Sequence, residues 1–283
     1  MRQWRAKGVG VGLVLGLLLL TPLAARADTT VHRAPQEVLV AAAEPEDTIY
    51  TMWIKKEEPA AKGPKTVETE EISKDEEIPD PLEPWNRAMF SFNDRFYFWV
   101  YRPFAEGYNT VVAEEGRVGI RNFFRNLAMP VRFVNNLLQL KFERAGIELA
   151  RFGVNTVAGF VGCVDTAGEF LNLKRQDEDF GQTLGTYGIP HGLYFVWPFI
   201  GPSSLRDTVG MAGDSFLHPL NYIFPAMGAP IETEWALGIR AYDYANDRSL
   251  RLGEYEDFLK MAIDPYLSMR DAYYQYRKRK VAE

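Results

Sequence analysis

Residues 80–101 read Asp80-Pro81-Leu82-Glu83-Pro84-Trp85-Asn86-Arg87-Ala88-Met89-Phe90-Ser91-Phe92-Asn93-Asp94-Arg95-Phe96-Tyr97-Phe98-Trp99-Val100-Tyr101. Proline is at home in a first helical turn, so Pro84 opens a helix here. Trp85, Ala88, Met89, Phe92 and Phe96 recur at helical spacing and make one apolar stripe. Asn86, Arg87, Asn93 and Asp94 fall mainly off that stripe. Beyond Phe96 the rings, Trp99 among them, spread around most of the circumference until the chain meets Pro103. That pattern fits burial on two sides, or protein on one side and lipid on the other. From this block alone, ordinary core packing is an equal alternative.

The same chemistry continues outward. All but three of the aromatic residues (Trp4, Tyr50 and Trp53) lie after residue 78. A globular core does not need that density of rings, whereas an interfacial protein uses them at headgroup depth. Glu114 to Leu127 reads as a helix with Arg117, Arg121 and Arg125 on one face, suited to lipid phosphates, to acidic partners or simply to water. Pro130 restarts the chain in a short amphipathic piece ending near Leu140. Residues 142–161 read as the clearest long helix. Its charged groups sit in the first half, and its charge-free half is too short to cross a bilayer. Gly153, Ala158 and Gly159 would let a neighbouring helix approach closely.

Asn172 to Asp179 forms a polar knot. The stretch 180–202 then carries Gly181, Gly185, Gly188 and Gly192 with Phe195, Trp197 and Phe199. Glycine at that frequency is poor helix chemistry, so the whole stretch reads as an irregular, aromatic-lined loop with a short strand-like piece at Leu193–Val196. Ser203 or Ser204 caps a following helix near Asp207. Residues 231–246 and 255–279 supply the last helices, and Asp264-Pro265 restarts the final one. The domain therefore reads as mainly α, with amphipathic helices suited to partial insertion into one leaflet.

The 283-residue chain carries a formal net charge of −6. An acidic balance argues against a nucleic-acid partner. Residues 1–27 have a basic start, an apolar run to Leu20 and Ala25-Arg26-Ala27 before Asp28. That is the layout of a cleaved signal peptide, with an uncleaved anchor as the rival reading. Residues 28–78 hold 13 acids, 6 bases and several prolines, too little apolar surface to offset ordering entropy, and read as a disordered tether. The folded domain is expected over 79–283. Cys163, the single cysteine, excludes an internal disulfide and a cysteine-based zinc site.

Signs of catalysis are sparse. His191 and His218 belong to no zinc-helix pattern, and the chain lacks the G-x-S-x-G, Walker and dinucleotide fingerprints. Ser203 or Ser204 with His191 or His218 and Asp207 or Asp214 could in principle form a hydrolase set, but nearly every chain of this length contains one. No enzyme activity, cofactor or metal is expected.

The ordered residues also carry a resemblance. Asp80-Pro81-Leu82-Glu83, Asn86-Arg87, Phe90 and Phe92-Asn93 match the opening motif of the MlaA family, also called VacJ, and Arg102-Pro103 follows at the family's distance. Asn122-Phe123, Asn126-Leu127, Pro130, Asn135, Arg151-Phe152, Asn155-Thr156, Gly159 and Asp165-Ala167-Gly168 continue it. Phe180-Gly181, Thr183-Leu184-Gly185, Tyr187-Gly188, Pro198-Phe199, Gly201-Pro202, Leu205-Arg206-Asp207 and Asp264-Pro265-Tyr266 extend it. The match covers residues 79–277. It implies a ring of helices in the periplasmic leaflet of a Gram-negative outer membrane. It implies a channel that takes misplaced phospholipid from the outer leaflet and hands it to a soluble periplasmic carrier. Association with porin trimers is implied as well.

Under that resemblance Asn86, Arg87, Asn93, Arg121, Arg125, Arg206 and Asp207 are expected in channel, headgroup or protein surroundings. Arg206–Asp207 reads equally as a structural ion pair, and the two asparagines as interhelical bonds. Gly181, Gly185, Gly188 and Gly192 mark the expected flexible loop beside the channel. Trp85, Phe92, Phe96, Trp99, Phe195, Trp197 and Phe199 are the expected lipid-facing or core rings. Ala27-Asp28 stands where many family members carry a lipobox cysteine, so attachment without a lipid anchor is expected. A protein-binding structural role and a membrane-associated hydrolase remain the competing readings.

Overall fold

The computed structural model describes residues 79–222 and 233–283. The expected signal peptide and tether lie outside the described residues. Helix α1 spans Glu83–Phe96 with proline in its first turn, as Pro84 dictates. It does not stop at Pro103. A π-helical turn, Tyr97–Tyr101, carries it into α2, Arg102–Val111, whose first turn holds Pro103. A widened turn already forfeits regular backbone pairing, so the missing proline N–H costs little there.

Helix α3 is Glu114–Leu127, α4 is Met129–Leu138 and α5 is Phe142–Val157. The long helix thus ends short of the expected Val161. Residues 158–164 turn back, with Phe160 and Val161 both at positive φ. Gly153 has open space around it, so the close helix approach expected there is not formed among the described residues. Helix α6 is Thr166–Leu171, capped by Asp165.

Residues 180–186 correct the loop reading: Phe180–Thr186 is helix α7, capped by the Asp179 carboxylate. Strand β1, Tyr194–Trp197, pairs antiparallel with β2, Gly201–Ser204, and β2 is an element the sequence did not announce. Ser204 accepts the Asp207 N–H and starts α8, Leu205–Leu217. Helix α9 is Thr233–Ser249, α10 is Glu254–Met261 and α11 is Pro265–Ala282, capped by Asp264.

These elements close a circuit. Helix α1 packs on β1, β2 on α8 and α11, α11 on α7, α7 on α4, α4 on α3, α3 on α9, and α9 on α2, which returns through the π turn to α1. The arrangement is a mainly α-helical ring. No helix among the described residues is long and apolar enough to cross a membrane.

Beside a small apolar core of Tyr194, Val196, Tyr266 and Tyr273, much of the ring is inverted in polarity. Along α5 the stripe facing the protein is Ala145, Glu148, Arg151 and Asn155, whereas Phe142, Leu149 and Val157 face outward. Glu148 is fully buried while Val157 is 88% exposed. Asn86, Asn135, Asn136 and Asn246 are buried too, and Trp99, Phe160, Phe170 and Phe216 stand on the outside. A protein surrounded only by water places these classes the other way round.

Candidate functional site

Elements of the circuit border two hollows of unequal size. The larger, about 530 Å3, is bordered by α4, residues 177–179, α7, α8, α9 and α11. Its wall mixes Val131 and Met211 with Arg132, Asp177, Asp214 and Arg240. The smaller, about 80 Å3, is ringed by Phe90, Phe96, Tyr97, Phe199, Tyr244 and Met269. Helices α9 and α11 border both, so a charged chamber and an aromatic one share two walls.

The polar groups around the larger chamber are held by dense pairing. Asn135 donates to Asp214 at 2.8 Å and to the Val131 carbonyl at 2.9 Å, and accepts the Thr183 hydroxyl at 2.9 Å. Arg132 meets buried Glu148 at 2.7 Å. Asp214 also accepts the Phe180 N–H at 3.1 Å. Burial, partly offset by these bonds, pushes its carboxyl up to about 6. Asp243 on α9 is likewise pushed up to about 6, by burial and by neighbouring Asp247.

Of the residues singled out from the sequence, most prove to be joints of the ring. Asn86 donates to Tyr194 O at 3.1 Å and accepts Val196 N–H at 2.8 Å, acting as a one-residue strand partner for β1; it also donates to Asp80 at 2.8 Å. This is a helix-to-strand bond rather than the interhelical one expected. Asn93 repeats the device on the hairpin turn, donating to Trp197 O at 2.9 Å and accepting Phe199 N–H at 2.6 Å, and it also borders the aromatic hollow. Arg87 bridges Glu83 at 2.7 Å and Asp264 at 3.1 Å and lies over the Tyr266 ring, tying α1 to α11.

The arginine face of α3 is divided. Arg117 is buried against the Ser249 carbonyl at 3.0 Å, and Arg125 pairs with Asp247 at 3.1 Å. Arg121 is half-buried, and its Nε has no hydrogen-bond partner among the described residues. Arg206 and Asp207 pair at 3.0 Å inside the protein, which realises the structural alternative. Arg277 joins them, reaching Asp207 at 2.7 Å and Asp179 at 2.7 Å, and the Tyr273 hydroxyl donates to Asp207. Burial alone would raise the Asp207 carboxyl, but Arg277 holds it below the usual range.

The four glycines separate into two pairs. Gly181 and Gly185 lie in α7, not in a mobile loop. An added Cβ at Gly181 would sit 2.6 Å from an Asp207 oxygen, and one at Gly185 would sit 2.7 Å from Arg206. Their role is to let α7 press on α8 and the ion cluster. Gly188 and Gly192 do occupy the connection to β1, both at positive φ. Among the rings, Phe199 packs edge-on against Phe92 and Phe96, with centroids 5.1 and 4.9 Å apart. Phe195 and Trp197 stand 5.2 Å apart, and Trp85 and Trp99 point outward. Asn135, Asn136 and Glu148 are buried and Arg240 borders the larger chamber, positions the sequence alone does not assign. The three on α4 and α5 had a signal, polar groups opposite an apolar stripe; Arg240 had none.

The hydrolase set is not assembled. Ser204 caps α8, Ser203 faces Thr208 at 3.1 Å, and His191 packs edge-on against the Tyr274 ring.

The model of a family described as "MlaA lipoprotein" matches residues 78–280. The chain belongs to the MlaA family. The intermembrane phospholipid transport system lipoprotein MlaA of Haemophilus influenzae is 35% identical over 211 residues, covering 71% of this chain and 79% of the relative. The Escherichia coli K12 protein of the same name is 34% identical over 200 residues, covering 69% and 76%. An uncharacterized protein of Rickettsia felis is 32% identical over 206 residues, covering 72% and 79%. A solved structure described as "Structural basis for maintenance of bacterial outer membrane lipid asymmetry" superposes with a TM-score of 0.63 at 32% identity, covering 72% of this chain and all of that one. The family thus accounts for the ring, and the inverted burial gives its physical meaning.

Proposed function

We propose that this chain is a phospholipid-transport component of the outer membrane that performs no chemistry on the lipid. The observation that carries the reading is the reversal of polarity: a charged and hydrogen-bonded interior inside a belt of outward-facing Phe, Trp, Val and Leu. A helical ring with that belt sits in one leaflet without any of its described helices spanning the bilayer. Lipid tails need an apolar wall and headgroups need a polar one, because unpaired charge is costly in hydrocarbon. The aromatic hollow and the charged chamber, sharing α9 and α11, offer both walls side by side. The relatives' role in intermembrane phospholipid transport agrees with this chemistry.

In this reading the ring rests in the periplasmic leaflet. It removes phospholipid misplaced in the outer leaflet and passes it to a soluble periplasmic carrier, with a porin trimer against part of the belt. An export signal over 1–27 and a spacer over 28–78 belong to the same proposal. Photocrosslinkers placed along 84–101 and 181–199 in intact cells test it. Phospholipid adducts from both stretches, together with raised surface phospholipid and detergent sensitivity on gene deletion, are expected. Adducts restricted to protein would remove the channel.

A further inference from the structure

The larger chamber is walled by four carboxylates and two guanidinium groups. Most of them are paired with charges just behind the wall. Asp177 meets Arg175 at 2.7 Å, and Asp179 meets Arg277 at 2.7 Å. Glu178 holds Lys141 at 2.7 Å and Arg144 at 3.3 Å. Arg132 is taken by Glu148. Two charges have no ionic partner among the described residues. Asp214 accepts only the neutral donors Asn135 Nδ2 and Phe180 N–H. Arg240 donates to the neutral Asn221 Oδ1 at 2.8 Å. His218, in the same wall, accepts the Leu220 N–H at its Nδ1, and burial with Arg240 nearby lowers its pKa, which disfavours a cation there.

We infer that Asp214 and Arg240 form a two-point station for a zwitterionic phospholipid headgroup, Arg240 taking the phosphate and Asp214 the ammonium. The inference rests on the transport reading above and deepens it. Each group of the wall supplies what the other end of the headgroup lacks. A carboxylate has room for about four hydrogen bonds, so Asp214 keeps acceptor capacity beyond Asn135 and Phe180. An anionic headgroup without an amine would satisfy Arg240 but bring its negative charge toward an unmatched carboxylate, and discrimination follows from that repulsion as much as from attraction.

The test uses full-length protein in mild detergent, stripped of lipid and incubated with vesicles of equimolar phosphatidylethanolamine and phosphatidylglycerol, followed by quantification of the lipid it retains. The native chain should retain phosphatidylethanolamine in excess. Asp214→Asn should lower that ratio about fivefold at unchanged total lipid, the scale of one partly exposed ion pair. Asp214→Glu should keep the preference, and Arg240→Gln should reduce uptake of both lipids. An unchanged ratio in Asp214→Asn, or equal uptake of both lipids by the native chain, would overturn the station while leaving transport standing. Absence of any retained lipid in the native chain would instead remove the transport reading. Should Asp214→Asn fail to fold, Arg240→Gln decides: uptake equal to the native chain's at unchanged helix content overturns the inference.

Discussion

Replacing Asn86 with alanine separates a structural joint from a channel residue. The Asn86 amide pairs with Tyr194 O and Val196 N–H in a region where both residues are almost completely buried. Alanine leaves one buried acceptor and one buried donor without partners, and each orphan costs about 1–3 kcal/mol. The lost bond to Asp80 adds less, because that carboxylate also receives the Tyr266 hydroxyl. A total near 4 kcal/mol corresponds to a fall in Tm of about 8–16 °C for a domain of this size. Thermal unfolding in detergent, followed by circular dichroism, measures it. Asn86→Asp keeps the acceptor for Val196 but loses the donor and sets a second carboxylate beside Asp80, so it should be destabilised as well. A Tm within about 2 °C of the native chain, combined with loss of lipid transfer, would refute the reasoning and place Asn86 in the channel.

Two further outcomes follow from the same structure. Gly210→Ala should separate α7 from α8, because the new Cβ would lie 2.4 Å from the Gly181 nitrogen; a loss of about 1–3 kcal/mol in urea unfolding is expected, with Gly153→Ala near neutral as the control. Asp214 ionises near 6 in the folded chain and near 3.9 when unfolded, so its contribution is full below about pH 4 and is lost as pH rises through about 6. Asp214→Asn should therefore gain on the native chain in urea midpoint between pH 4 and 6 and run parallel above that, and a constant offset at every pH would contradict the assigned ionisation.

Local chemistry made much of the ring legible. Proline in a first helical turn, Ser204 and Asp264 as caps, and the i, i+3, i+4 stripes placed α1, α3, α4, α8 and the start of α11. Glycine counting misled at 180–186. Propensity disfavours that helix, yet the Asp179 cap and close contact with α8 outweigh it, and the glycines are there because any Cβ would strike the ion cluster. Strand β2 was hidden because Gly201-Pro202-Ser203-Ser204 has no strand signature and forms only as the partner of β1. The site was read less well than the fold. Asn86, Asn93 and Asp207 were legible as possible fasteners, but their partners in β1, the hairpin turn and α11 are distant in sequence and come only with the fold. Arg240 carries no local pattern at all, since only the fold brings it to the chamber that Asp214 also lines.

What surrounds the outward-facing side chains decides whether the ring lies in a membrane. A nitroxide label at Val157, Leu149 or Trp99, each introduced as cysteine in a Cys163→Ser background and reconstituted in liposomes, reports this by collision with oxygen and with a water-soluble nickel chelate. All three positions are exposed, Val157 at 88% and Trp99 at 76%. Strong oxygen collision with little nickel collision at all three is the predicted result. Strong nickel collision around the belt would place it in water and contradict the membrane-embedded ring.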